Sequence, residues 1–198
     1  MAKTKYISVE DQEELGFKIG KVIPYNHYSR KMFGYLWAIK NNAEFIIDTD
    51  DDNIPKLNWD FPALNGKYEF IPEDKGFINI YQLYTTENIW PRGLPLNLIR
   101  KDFQLKHILK VQDCKVGVWQ GLADEDPDVD AIYRLTSDAV CNFTERNPIV
   151  LGKGTISPFN TQNTLITHEL FPLLYLPTYV TFRFTDILRG LVFQPIMW

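Results

Sequence analysis

An α/β fold is the class this sequence predicts, on three observations. Strand-like and helix-spaced segments alternate along the first part of the chain, and Phe45-Ile46-Ile47 is continuously apolar, as a buried strand would be. That run then empties into Asp48, Asp50, Asp51 and Asp52, four carboxylates within five residues. Ligands of open α/β sheets collect beyond the carboxyl ends of strands. Like charges this close repel unless a cation offsets them, so the pattern points to Mn²⁺ or Mg²⁺ held by carboxylate oxygens and bridging a diphosphate. The alternative is an acidic, solvated turn.

The elements follow in order. Lys5 to Val9 reads as a short strand, and Ser8 with Asp11 as a capping box opening a helix from Val9 to Lys21. Pro24 breaks the chain. From Tyr28 to Lys40, Met32, Leu36 and Ile39 fall on one side of a second helix, and Asn41-Asn42 supplies its left-handed exit. The apolar strand after it is expected to be central and covered on both faces. Beyond the aspartates, Pro55, Pro62, Gly66 and Pro72 with Trp59, Phe61, Tyr68 and Phe70 read as an aromatic-packed excursion. Strands are then predicted at Phe77 to Tyr84 and Lys115 to Trp119, and a closing helix at Thr185 to Trp198.

Composition bounds the function. A chain of 198 residues, 45% hydrophobic, can bury one sizeable core, so residues 1–198 are read as a single domain. The net charge of -4 offers no basic footprint, which argues against a nucleic-acid partner and leaves an anionic ligand to be met by a few placed cations or a metal. Cys114 and Cys141 match no zinc or redox spacing and are expected to be free thiols. No signal peptide or transmembrane segment is visible, so the chain reads as soluble.

Other chemistry-bearing residues lie in punctuated loops. Trp90-Pro91-Arg92-Gly93-Leu94-Pro95 places an aromatic ring beside a guanidinium, and Asp128 and Asp130 lie two apart in a second acidic loop beyond a strand. On an extended segment those two carboxylates face the same way. One would then orient an acceptor hydroxyl or act as general base, the alternative being a solvated loop or a helix N-cap. Asp186 sits between Arg183 and Arg189, where an intrahelical pair with Arg189 is the simpler reading. His168 is the histidine to test as ligand or base, and Trp90 and Trp119 are the stacking candidates.

Taken together, several segments resemble the STELLO-type family of glycosyltransferases. They include Ser8-Val9-Glu10-Asp11-Gln12, Arg30-Lys31 with Gly34-Tyr35-Leu36, Asp48-Thr49-Asp50-Asp51 and Trp90 to Leu96, followed by Pro127-Asp128-Val129-Asp130, Pro158 to Thr164 and Asp186 to Gly190. A fainter likeness runs to UDP-arabinopyranose mutases through Asp50-Asp51-Asp52, Arg92-Gly93-Leu94-Pro95 and Pro127 to Ala131. The resemblance implies a GT-A-like nucleotide-sugar fold, a mixed sheet flanked by helices. It also implies a leading βαβ segment and a continuation past Trp198, so this sequence reads as a fragment or short form. The implied activity is metal-dependent transfer from a nucleotide diphosphate sugar, UDP-sugars favoured, to a glycan or protein acceptor. A non-catalytic binding or scaffold protein and a UDP-sugar mutase are the alternatives. On this reading Asp48, Asp50, Asp51 and Asp52 hold the metal, and Asp128, Asp130 and Asp186 are catalytic. Arg92, Trp90, Asn160, Asn163 and His168 bind substrate, Arg92 either as a hydrogen-bonding fork or as a point of reversible sugar attachment.

Overall fold

The computed structural model describes residues 4–198. The capping box forms: the Ser8 hydroxyl accepts from the Asp11 amide at 3.1 Å while the Asp11 carboxylate accepts from the Ser8 amide at 2.8 Å. It starts helix α1, Val9–Glu14. The helix is shorter than expected. Gly16 takes φ +68°, which ends it, and the chain resumes only as a 3₁₀ turn at Lys18–Lys21. Residues 4–8 pair with no strand and run as irregular backbone, so the strand predicted at Lys5 to Val9 does not form. The second helix begins as a 3₁₀ turn, Tyr28–Lys31, continues as α2, Met32–Lys40, and leaves through Asn42 at φ +58°.

Strand β1, Phe45–Thr49, departs from the central, doubly covered strand that was expected. Burial alternates along it, with Ile46 and Asp48 inward and Phe45 and Ile47 out. Its period of two therefore carries Asp48 onto the core face. Strands β2 (Asn65–Ile71) and β3 (Gly76–Phe77) follow; the strand expected to reach Tyr84 stops at Phe77 and gives way to a 3₁₀ turn at Ile80–Leu83. The segment read as one strand from Lys115 to Trp119 is two, β4 (Lys110–Lys115) and β5 (Val118–Gln120). Helix α3 (Ala131–Thr136), β6 (Ile149–Leu151), β7 (Thr155–Ile156), β8 (Asn163–Thr167) and α4 (Thr185–Met197) complete the order.

The result is a mixed α/β arrangement of three small sheets, ordered β1-β8-β5, β4-β2-β6 and β3-β7. In the first, β8 is central and antiparallel to both neighbours, with Asp48 opposite Thr164 and Thr49 opposite Asn163. Helices α2 and α4 bury Phe33, Tyr35 and Phe193 against Ile46 and Ile166 of this sheet. Asp48 lies at the end of that core, next to α2. The two cysteines are free, Cys141 buried. Among the described residues no helix is long and apolar enough to cross a membrane.

Candidate active site

Asp48 meets two partners from the 28–40 segment because β1 turns it inward. Its carboxylate accepts from the buried Tyr35 hydroxyl, and its other oxygen lies 2.8 Å from the Lys31 ammonium. Lys31 also reaches Asp50 at 3.1 Å and the Tyr28 hydroxyl at 3.3 Å. Burial disfavours the charged lysine, but Asp48, Tyr28 and Asp50 outweigh it and hold the ammonium well above its ordinary range. The Tyr28 hydroxyl in turn bonds Thr161, whose hydroxyl reaches the Asp186 carboxylate at 3.5 Å. Burial pushes the Tyr28 phenol up to about 12.

Arg92 carries the network to its far end. Pro91 bridges Val129 and the Arg92 amide donates to the Asp128 carbonyl at 3.3 Å, so backbone pairing brings the two loops together. The guanidinium donates to Asp128 at 2.7 Å, to both Asp186 oxygens at 3.0 and 3.2 Å, and to the Arg183 carbonyl at 2.8 Å. Gly93 permits this approach: it takes φ +93°, and a Cβ there would stand 2.6 Å from Ile187 of α4. Burial raises the Asp128 carboxyl above its ordinary value, with Arg92 opposing and Asp186 reinforcing the shift. Burial likewise raises Asp50 against the pull of Lys31. The close ion pairs favour ionised carboxylates and the direction of both shifts says desolvation outweighs them, as expected where one cation serves two anions.

Gln162 ties the two acidic segments directly. Its carbonyl accepts from the Asp50 amide at 3.3 Å and its side chain accepts from the Asp128 amide at 3.1 Å. The acidic turn, Arg92, Asp128 and Asp186 therefore belong to one continuous hydrogen-bonded cluster.

Other expected site residues go elsewhere. Asp130 caps α3, accepting from the Ile132 amide at 2.8 Å, which is the helix N-cap alternative to a role beside Asp128. His168 is exposed at the end of β8 paired with Phe45, away from the Asn163 end that faces the aspartates. Trp90 is buried edge-on against Tyr133, and Trp119 against Tyr68, so neither presents a free stacking face. Asn160 shapes the turn before β8, its side chain accepting from the Gln162 amide at 3.0 Å, and Asn163 accepts from the Trp59 indole at 3.3 Å. The anticipated Asp186 to Arg189 pair is absent, since Asp186 serves Arg92. Arg189 lies buried by the rings of Phe159 and Phe193 with no hydrogen-bond partner among the described residues.

A divalent ion is tested by the donor set. Among the described residues no three His, Cys, Asp or Glu side chains converge as a ready metal centre. Asp48 is spent on Tyr35 and Lys31, Asp50 meets Lys31 through one oxygen, and Asp51 and Asp52 are exposed. What remains is the second oxygen of Asp50 together with Asp52, the exposed neighbour whose charge acts on Asp50. One or two carboxylates plus substrate phosphates is a usual way to hold Mg²⁺, so this set fits an ion bound jointly with a diphosphate.

The chain is 30% identical, over 98% of its length, to probable glycosyltransferase STELLO1 of Arabidopsis thaliana, and 29% identical over the same share to probable glycosyltransferase STELLO2. In sequence it is STELLO-like along nearly its whole length. It spans 28% of the length of each of these relatives. No protein-family model matches the chain. Lys31, Tyr28, Thr161 and Gln162 are cluster members that motif spacing did not single out. Lys31, Thr161 and Gln162 lie within the STELLO-like segments Arg30-Lys31 and Pro158 to Thr164, but nothing local marks Lys31 as the counter-charge of Asp48.

Proposed function

We propose that this STELLO-type chain forms the donor-diphosphate end of a glycosyltransferase site with a GT-A-like fold, acting on a nucleotide diphosphate sugar, UDP-sugars favoured. The observation that carries the reading is the unbroken cluster from Asp48 and Asp50 through Lys31, Tyr28, Thr161 and Asp186 to Arg92 and Asp128. Transfer requires an acceptor oxygen to bond the anomeric carbon while the bond to the diphosphate breaks and its electron pair leaves with the phosphate. Negative charge grows on the leaving oxygen, and positioned cations stabilise it. Lys31 and Arg92 are the cluster's cations with some access to solvent, 26% and 19% exposed at their side chains.

Asp50 and Asp52 would hold Mn²⁺ or Mg²⁺, which supplies Lewis acidity to the phosphate oxygens when bound. Asp128 would accept the acceptor's proton, and burial raises its carboxyl above the ordinary aspartate value, the direction that suits a base. The Arg92 fork is spent on three acceptors and its Nε is buried, which supports a positioning role over a point of sugar attachment. A second reading, a non-catalytic sugar-nucleotide-binding or scaffold protein, is favoured by one feature: Lys31 and Arg92 are each already neutralised by two carboxylates. Release of UDP or GDP from a panel of nucleotide sugars with Mn²⁺ separates the two. Enzyme activity predicts metal-dependent release that Asp128→Asn depresses at least 100-fold, whereas binding without any release selects the scaffold.

A further inference from the structure

A cavity lies apart from the charged cluster. Its volume is about 820 Å³, and its wall includes no residue of the Asp48, Lys31, Arg92 and Asp128 set. It occupies the seam between the two larger sheets, where β5 ends one and β6 ends the other. Trp119, Leu122, Phe143, Val150, Phe159 and Met197 give it an apolar body.

Two polar atoms in that wall have no hydrogen-bond partner among the described residues, the Trp119 indole nitrogen and the Ser157 hydroxyl. Both residues are 6% exposed. A buried donor left unpaired costs free energy, and such groups ordinarily have a protein, water or ligand partner. The cavity's charges carry little net demand. Lys56 pairs with Asp124, Lys115 with Glu169 and Arg146 with Glu69, while Asp60 and Glu145 are exposed at the rim. Among the described residues the cavity offers an anion such as a nucleotide no unpaired cation.

The wall also connects to the charged cluster. Gln120 accepts from the Asn160 amide at 3.1 Å, Asn160 accepts from the Gln162 amide at 3.0 Å, and Gln162 accepts from the Asp128 amide at 3.1 Å. Three hydrogen bonds therefore link a cavity-lining side chain to the backbone that presents Asp128.

We infer that this cavity binds a neutral, apolar-bodied molecule bearing a hydroxyl group, with the unpartnered Trp119 indole N–H as the hydrogen-bond donor to its oxygen. Its size is within the usual range for small-molecule pockets, as is an apolar lining with a few placed polar groups. That the occupant is the acceptor alcohol of the transfer rests on the glycosyltransferase reading; the pocket itself does not.

The test uses 2-naphthol and naphthalene as probes, followed by calorimetry or probe fluorescence on the 198-residue chain. One 2-naphthol should bind per chain, about five- to ten-fold more tightly than naphthalene, the discrimination expected of about one net hydrogen bond. Trp119→Phe keeps the ring and should reduce that preference to under two-fold, and Val150→Trp should abolish saturable binding of both probes while circular dichroism stays native. Non-saturable binding, equal affinity for the two probes in the wild type, or a preference unchanged in Trp119→Phe overturns the inference. UDP titrated with Mn²⁺ into the same variants should bind as in the wild type. Loss of UDP binding in the wild type with the naphthol site intact would sink the transferase reading and leave the pocket standing.

Discussion

Replacing Arg92 by Met tests whether the cluster is held by its charges. The substitution keeps much of the side chain's volume and removes one cation shared by Asp186, whose side chain is 3% exposed, and Asp128, 23% exposed. Stranding one member of a buried pair costs about 3–5 kcal/mol. Partial access of Asp128 to water favours the lower half of that range. In a domain of this length each kcal/mol moves the melting midpoint by about 2–4 °C, so a fall of roughly 10 °C is expected. Arg92→Met combined with Asp186→Asn removes the stranded charge and should recover about 1–3 kcal/mol relative to the sum of the single changes. Urea denaturation at pH 7 of the wild type, both single variants and the double variant gives the coupling directly. A single-variant cost below about 1 kcal/mol, or additive effects within about 0.5 kcal/mol, would show that these close contacts hold nothing together.

Three further outcomes follow from the same geometry. A Cβ at Gly190 would stand 2.4 Å from the Phe159 carbonyl oxygen, so Gly190→Ala must push α4 outward; overpacking of about 1–3 kcal/mol, offset by about 1 kcal/mol of helix propensity, should lower the thermal midpoint and weaken UDP binding through displaced Asp186. Asp128 has a raised folded pKa, so its proton is held more tightly in the folded chain: that stabilisation is full below the ordinary aspartate value and is lost as pH rises through the folded one. Asp128→Asn should therefore melt higher than the wild type at pH 7, with the gap closing as pH falls toward 4, and a variant less stable throughout that range would reverse the sign. Finally, His168→Ala should leave UDP affinity within two-fold in calorimetry, because His168 sits at the far end of β8; a larger loss would restore it to the site.

What the sequence made legible was local. The Ser8 to Asp11 box and the Asn42 exit are contacts within a few residues, and both formed where they were expected. The closing helix held too, Thr185–Met197 against a predicted end at Trp198. Sheet order was not legible, since it is set by pairing between distant segments: β1 is an outer strand in the order β1-β8-β5, and its partner β8 lies over a hundred residues away. That one difference decides the chemistry around Asp48. A strand covered on both faces would leave its aspartate's orientation open, whereas alternation turns it toward Lys31 and Tyr35. Asp128 and Asp130 divide between the two readings their spacing allowed: backbone pairing at Val129 brings Asp128 to Arg92, and Asp130 takes the helix N-cap.

The most direct test of a joint metal and diphosphate site is calorimetric titration of UDP into the chain with and without Mn²⁺, repeated for Asp50→Asn. The account predicts saturable UDP binding that strengthens at least ten-fold with Mn²⁺, with that enhancement abolished in the variant. UDP affinity indifferent to both the ion and the substitution would contradict it.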